Sequence, residues 1–171
     1  MLRLYRDLAD RLTRLHGYPL FVLRVVVGWL FVLHALFKFQ LGLGNFENFM
    51  LKPAGLPLTG LLSWFVPTLE LVAGVLLIVG LLTRAAAVLL AAEMVCTGFL
   101  VKLIHFHAGV LGPNGSGGAE IDFLYLAAFV LILVAGPGRV SLDTVLRLEP
   151  AQRLATAGGQ QAATLQDHSA A

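Results

Sequence analysis

The sequence predicts an all-α integral membrane protein: a four-helix transmembrane bundle preceded by an amphipathic helix at the membrane interface. Three observations predict it. The first is composition: 58% of the 171 residues are hydrophobic and only 13% are charged, with a mean hydropathy of +0.83. A soluble domain of this size has too little interior to hide that much apolar surface, so the excess must face lipid. The second is its arrangement in four apolar stretches, Leu20–Phe37, Leu61–Leu82, Ala85–Ile104 and Ile121–Ala135. Their lengths, about 15 to 22 residues, lie near the roughly 20 that span about 30 Å of hydrocarbon. Backbone N–H and C=O groups in lipid need internal partners, which makes such stretches helices. The third is a one-sided distribution of basic residues. The nine arginines (Arg3, Arg6, Arg11, Arg14, Arg24, Arg84, Arg139, Arg147, Arg153) fall at the ends that share one side, and Lys38, Lys52 and Lys102 lie toward the other. The positive-inside rule then places both termini in the cytoplasm.

The elements follow in chain order. Residues 1–19 form the interfacial segment. Its Leu4, Leu8, Leu12 and Leu15 fall within about 80° of arc at roughly 100° per residue, while Arg3, Arg6 and Arg14 sit elsewhere. Such a helix lies flat on the inner leaflet. An Arg-rich lead with no small-residue cleavage site after the first apolar run makes that run a signal anchor. Gly17-Tyr18-Pro19 starts the first transmembrane helix, since proline suits the first helical turn. The following connection, from Gln40 to Gly60, holds four Gly and two Pro and is long enough to fold back as a cap on the outer face. A tight turn at Thr83-Arg84 makes the second and third helices an antiparallel hairpin. The glycine-rich loop Gly112–Gly118 lacks the G-x-G-x-x-G spacing and follows a helix, so it is not a dinucleotide loop. Gly136-Pro137-Gly138 stops the fourth helix, and a short helix begins near Ser141. The four-helix domain thus covers 20–149, and the Ala/Gln/Gly-rich residues 150–171 read as a disordered tail. The single cysteine, Cys96, excludes an intrachain disulfide and a C-x-x-C redox pair. No basic cluster interleaved with aromatics points to nucleic acid.

Ionisable side chains inside apolar stretches are costly, so they face the bundle, pair, or do chemistry. Here they are Arg24 and His34, then Glu70, then Glu93, Lys102 and His105. Helical geometry puts Arg24, Gly28, His34, Ala35 and Lys38 within an arc of about 120°, and gathers Ser63, Pro67, Glu70, Ala73, Gly74 and Gly80 on one side of the second helix. Depth along the helices collects His34, Lys38, Glu70, His105, His107, Glu120 and Asp122 in the outer half and leaves Arg24 and Glu93 in the inner half. Two expectations follow. Arg24 and Glu93 form a structural ion pair between helices 1 and 3. His34, Glu70 and His105, with Lys38, form a ligand-binding pocket in the outer half. Plainer uses stand beside these: Lys38 and Lys102 as snorkelling residues, Glu120 and Asp122 as stabilisers of a helix start, and His34 and Glu70 as hydrogen-bonded packing. His105-x-His107 suits a metal only where the helix ends, and no metal is assigned. A haem between His34 and His105 is a further use of the same side chains.

Several motifs run in order through this domain: Leu23-Arg24-Val25-Val26-Val27-Gly28 followed by His34 and Lys38; Pro67-x-x-Glu70-Leu-Val-Ala-Gly74; Gly80-Leu-Leu-Thr83-Arg84; Ala92-Glu93-Met94; and Gly136-Pro137-Gly138-Arg139-x-Ser141-Leu142-Asp143. In this the chain resembles the DoxX family of small four-helix bacterial membrane proteins. The resemblance implies a bundle in the bacterial inner membrane and an association with redox chemistry, since relatives include a subunit of a thiosulfate:quinone oxidoreductase. It transfers no catalytic set, and whether the chain is an enzyme stays open. The first expectation is a redox-associated, quinone-interacting subunit of a membrane oxidoreductase system, with quinone as the candidate cofactor and a protein partner supplying electrons. The second is a non-catalytic membrane anchor or assembly subunit. The third is a membrane protein that binds a metal or small solute.

Overall fold

A computed structural model describes residues 18–112, 117–138 and 140–148. The interfacial helix expected before Gly17 and the tail expected from residue 150 lie outside the described residues. The main helices are α1 (Pro19–Leu41), α3 (Thr59–Val79), α4 (Thr83–His105) and α5 (Glu120–Ala135). Two short helices join them: α2 (Leu43–Phe46) in the long connection and α6 (Leu142–Val145) after α5. No strand occurs among the described residues. The chain is therefore all-α, as the apolar stretches require.

Three of these helices, α1, α3 and α4, are long and apolar enough to cross a membrane. The fourth, α5, has 16 residues, about 24 Å at 1.5 Å per residue. Its first turn carries Asp122, which meets Lys102 near the end of α4, and its last turn carries Leu133, whose carbonyl meets Arg84 near the start of α4. It thus runs antiparallel along nearly all of α4. The outward faces carry large apolar side chains, among them Trp29, Phe37, Trp64, Phe65, Val72, Leu124 and Val134. These face hydrocarbon, where exposure carries no hydrophobic penalty.

Inside, Val27, Phe31, Ala73, Leu77, Ala86, Ala87, Leu90, Met94, Phe129 and Ile132 form one core. The α1–α3 seam is the closest approach. A Cβ on Gly28 would lie 2.7 Å from the Gly74 carbonyl oxygen, and one on Gly74 would lie 2.8 Å from the Gly28 carbonyl oxygen. Only glycine at both positions permits this backbone-to-backbone crossing.

The two ends of the bundle are closed differently. At one end, here the capped end, residues 42–58 fold over the helices and bury Phe46, Leu51 and Ala54. This is the cap that the Gly/Pro-rich connection predicts. The Thr59 hydroxyl donates to Glu47 Oε1 at 2.9 Å, and that bond, ahead of Lys52, holds the Glu47 carboxyl below the ordinary carboxylate range. The opposite end, the turn end, carries the α3–α4 connection. Gly80 takes φ 72° there and Leu82 takes φ 49°.

The turn end corrects one expectation. Arg24 does not pair with Glu93. Its guanidinium is 1% exposed and donates to the Pro137 carbonyl and, at 2.5 Å, to the Val140 carbonyl. Asp143 accepts from the Leu82 and Thr83 N–H groups at 2.7 and 2.9 Å, and its own N–H donates to the Gly80 carbonyl at 2.8 Å. The segment after α5 therefore clamps the ends of α1, α3 and α4 together. The physical reason is partner type: the Pro137 and Val140 carbonyls, freed where α5 ends, accept from the two terminal nitrogens of the guanidinium, and the N–H groups at the start of α4 satisfy the carboxylate.

Candidate functional site

Glu70 stands at the middle of α3, 3% exposed. The run of small residues on that face of α3, Ala73 and Gly74, lets α1 approach, so the long Lys38 side chain from the last turn of α1 can reach inward. Lys38 Nζ lies 2.5 Å from Glu70 Oε1 and 4.0 Å from Glu93 Oε1. Glu93 is ten residues into α4, about 15 Å from its start, and is 8% exposed. One ammonium thus faces two carboxylates contributed by three helices, in an apolar interior. Neither Glu93 oxygen accepts a hydrogen bond from a described residue, and neither does Glu70 Oε2. The Phe46 ring lies 5.3 Å from Lys38 Nζ and closes this group from the capped end.

A second polar group joins α4 to α5. Lys102 Nζ lies 2.5 Å from Asp122 Oδ2, and the Thr97 hydroxyl donates to Asp122 Oδ1 at 3.1 Å. Lys102 also donates to the Gly118 carbonyl at 3.2 Å. Wider turns, bonded i to i+5, run from Val95 to His105 and bring Thr97 and Lys102 to the side that faces α5. Such turns inside a helix often mark functional positions. Asp122 sits so close to α4 that a Cβ on Gly98 would lie 2.8 Å from the Asp122 Cβ.

His34 stands between the two groups. It is exposed on the bundle surface, with ring centroids 5.6 Å from Phe31 and 6.1 Å from Tyr125, both edge-on. It lies one turn before Lys38 on α1, and Tyr125 lies one turn after Asp122 on α5. His105 is placed elsewhere. Its Nε2 is 2.7 Å from the Pro53 carbonyl, and since a carbonyl only accepts, the ring donates there. Its position ties the capping loop to α4 rather than lining a pocket with Glu70. Among the described residues, no three His, Cys, Asp or Glu side chains converge as a metal-binding group.

Of the four residues expected to bind a ligand, the structure joins Lys38 to Glu70, sets His34 beside them, and separates His105. It adds Glu93, Asp122 and Lys102. The sequence carried a signal for Glu93, an acid centred in an apolar stretch. It carried none for the turn of α4 that aims Lys102 at Asp122.

The family model of DoxX proteins matches residues 19–103. The uncharacterised membrane protein Rv3486 of Mycobacterium tuberculosis is 36% identical over 143 residues, covering 78% of this chain and 85% of that protein. An uncharacterised Haemophilus influenzae protein is 31% identical over 141 residues, covering 78% of this chain and 95% of its own. CatD of Bacillus subtilis, provisionally named an oxidoreductase, is 32% identical over 122 residues, covering 71% and 82%. No solved structure matches the chain.

Proposed function

The chain belongs to the DoxX family of membrane proteins, and from that premise we propose that it is a redox-associated inner-membrane protein, a quinone-interacting subunit of a membrane oxidoreductase system. The observation that carries the reading is the buried Lys38–Glu70–Glu93 group, in which two carboxylates share one ammonium and three carboxyl oxygens accept no hydrogen bond from a described residue. Such a group is built to accept and release a proton rather than to cement the bundle, because a purely structural pair would balance its charges.

The side chains present fit a quinone. Phe31 and Tyr125 offer an apolar edge, and His34 offers a hydrogen bond at the bundle surface, open to a carrier dissolved in the hydrocarbon. A bound quinone supplies paired electron and proton chemistry at its carbonyl oxygens. The chain's residues do the rest: His34 orients the carrier, and Glu70 and Glu93 take or give the proton while Lys38 holds them in place. The sequence carries no flavin, haem-attachment or Fe–S motif, so a protein partner exchanges the electrons. The provisional oxidoreductase name of CatD supports the same class of chemistry.

The test is extraction of the purified, lipid-reconstituted protein for quinone, paired with Glu93→Gln. The expected result is stoichiometric quinone in the native protein and a folded, inserted variant whose quinone-linked turnover falls by about a hundredfold. Full turnover in Glu93→Gln, or no quinone in the native protein, overturns the reading.

A second reading, a non-catalytic anchor or assembly subunit, is favoured by the turn end. There Arg24, Gly80, Thr83 and Asp143 serve architecture alone. It predicts a colourless protein recovered with its partner, in which Glu93→Gln weakens the complex and changes no ligand.

A further inference from the structure

The two lysine–carboxylate groups differ in one respect that bears on how protons move. The Lys38–Glu70–Glu93 group is sealed: Phe46, 3% exposed, lies across Lys38, and the Lys38 side chain is 16% exposed. The Lys102–Asp122 group opens at the capped end. Asp122 is buried, yet the Lys102 side chain paired with it is 32% exposed and also donates to the carbonyl of Gly118, just before α5. The tight contact of Asp122 on Gly98 shields its carboxylate from lipid. A proton reaching Glu70 or Glu93 through the cap would have to pass the Phe46 ring. The α4–α5 side offers polar groups instead, Lys102, Thr97 and Asp122.

His34 links the two. It stands one turn before Lys38 on α1, and its ring centroid lies 6.1 Å from that of Tyr125, one turn after Asp122 on α5. The charged and titratable groups facing Asp122 are Lys102 and Glu93 from α4, His34 from α1, and Tyr125 on its own helix.

We propose that Asp122 and Lys102 form a proton relay that connects the surface at the capped end, past His34, to the Glu70–Glu93 pair. Inward, a hydronium at the surface gives its proton to the Asp122 carboxylate, leaving water. Asp122 returns to carboxylate as His34 takes the proton, and His34 becomes neutral again as Glu70 or Glu93 accepts it. One proton moves, no electron does, and the outward direction reverses each transfer. Thr97 and Lys102 hold the Asp122 carboxylate in position. The relay rests on the reading of Glu70 and Glu93 as the proton-accepting centre, not on the identity of the carrier.

The experiment is a pH jump on the full chain reconstituted in lipid, followed by time-resolved infrared spectroscopy of the carboxyl bands. Glu70→Gln and Glu93→Gln assign those bands. Asp122→Asn should slow protonation of the assigned groups about a hundredfold, and Asp122→Glu should restore most of the rate. Phe46→Ala should not slow it. Should Asp122→Asn fail to fold, Lys102→Met and Thr97→Val carry the test, each expected to slow the same step. A rate indifferent to these three changes, a rate set by Phe46 instead, or carboxyl bands that never respond to pH overturns the relay. A quinone-free protein with fast, Asp122-dependent protonation would remove the carrier and leave the relay standing. A quinone-bearing protein whose rate ignores Asp122 would do the reverse.

Discussion

Arg24 and Glu93 show what single residues in an apolar setting disclose and what they conceal. Both are ionisable, both sit in membrane-spanning helices, and their opposite charges suggest a pair. Charge matching found the wrong partners because it considers side chains only. Arg24 donates to two backbone carbonyls more than a hundred positions away in sequence, at Pro137 and Val140, and nothing in the type of those residues announces a free carbonyl. Glu93 is met by Lys38, whose stem bends inward from the capped end rather than outward to the headgroups. Thermal unfolding in lipid checks the new assignment. Arg24→Met strands the buried Pro137 carbonyl and the part-buried Val140 carbonyl and should cost about 2–4 kcal/mol. Combined with Glu93→Gln, its effect should be additive to within about 0.5 kcal/mol, because the two sites share no partner. A large coupling energy would restore the pair.

At the scale of elements, the helices were legible and their faces only partly so. Apolar runs long enough to span lipid fixed α1, α3 and α4 to within a few residues, and the Gly/Pro-rich connection implied the cap. Assigning faces needs a regular turn. That holds for α1 and α3, where the small residues Gly28 and Gly74 correctly marked an inward seam. It fails in α4 after Met94, where the wider turns change which side chains share a side. Thr97 and Lys102 were therefore not placed opposite Asp122, and Lys102 passed for a snorkelling residue. The α1–α3 seam makes a prediction of its own. Gly28→Ala and Gly74→Ala each press a Cβ against the opposite backbone and should each cost about 1–3 kcal/mol in thermal unfolding. The double variant should lose less than the sum, since one displacement of the helices relieves both clashes. Strict additivity would mean that the two positions do not share a contact.

For the molecule as a whole, the positive-inside rule predicts both termini on the cytoplasmic side. A reporter active only in the periplasm, fused after Ala171, should stay silent, and a strong signal would invert the topology. In that orientation the capped end would face the periplasm, and the clamp of Arg24, Pro137, Val140 and Asp143 the cytoplasm. The clamp then has a consequence for how the protein is made. Its contacts tie together helices that leave the ribosome far apart in time, and the side chain that closes it, Asp143, is among the last of the described residues to be synthesised. Until that aspartate emerges, the first three long helices are inserted without their fastener, their Arg24 guanidinium and Leu82 and Thr83 amides still seeking partners. Closure of this end of the bundle thus waits for the segment after α5, and a chain stopped before Asp143 would leave the Leu82 and Thr83 amides without that acceptor.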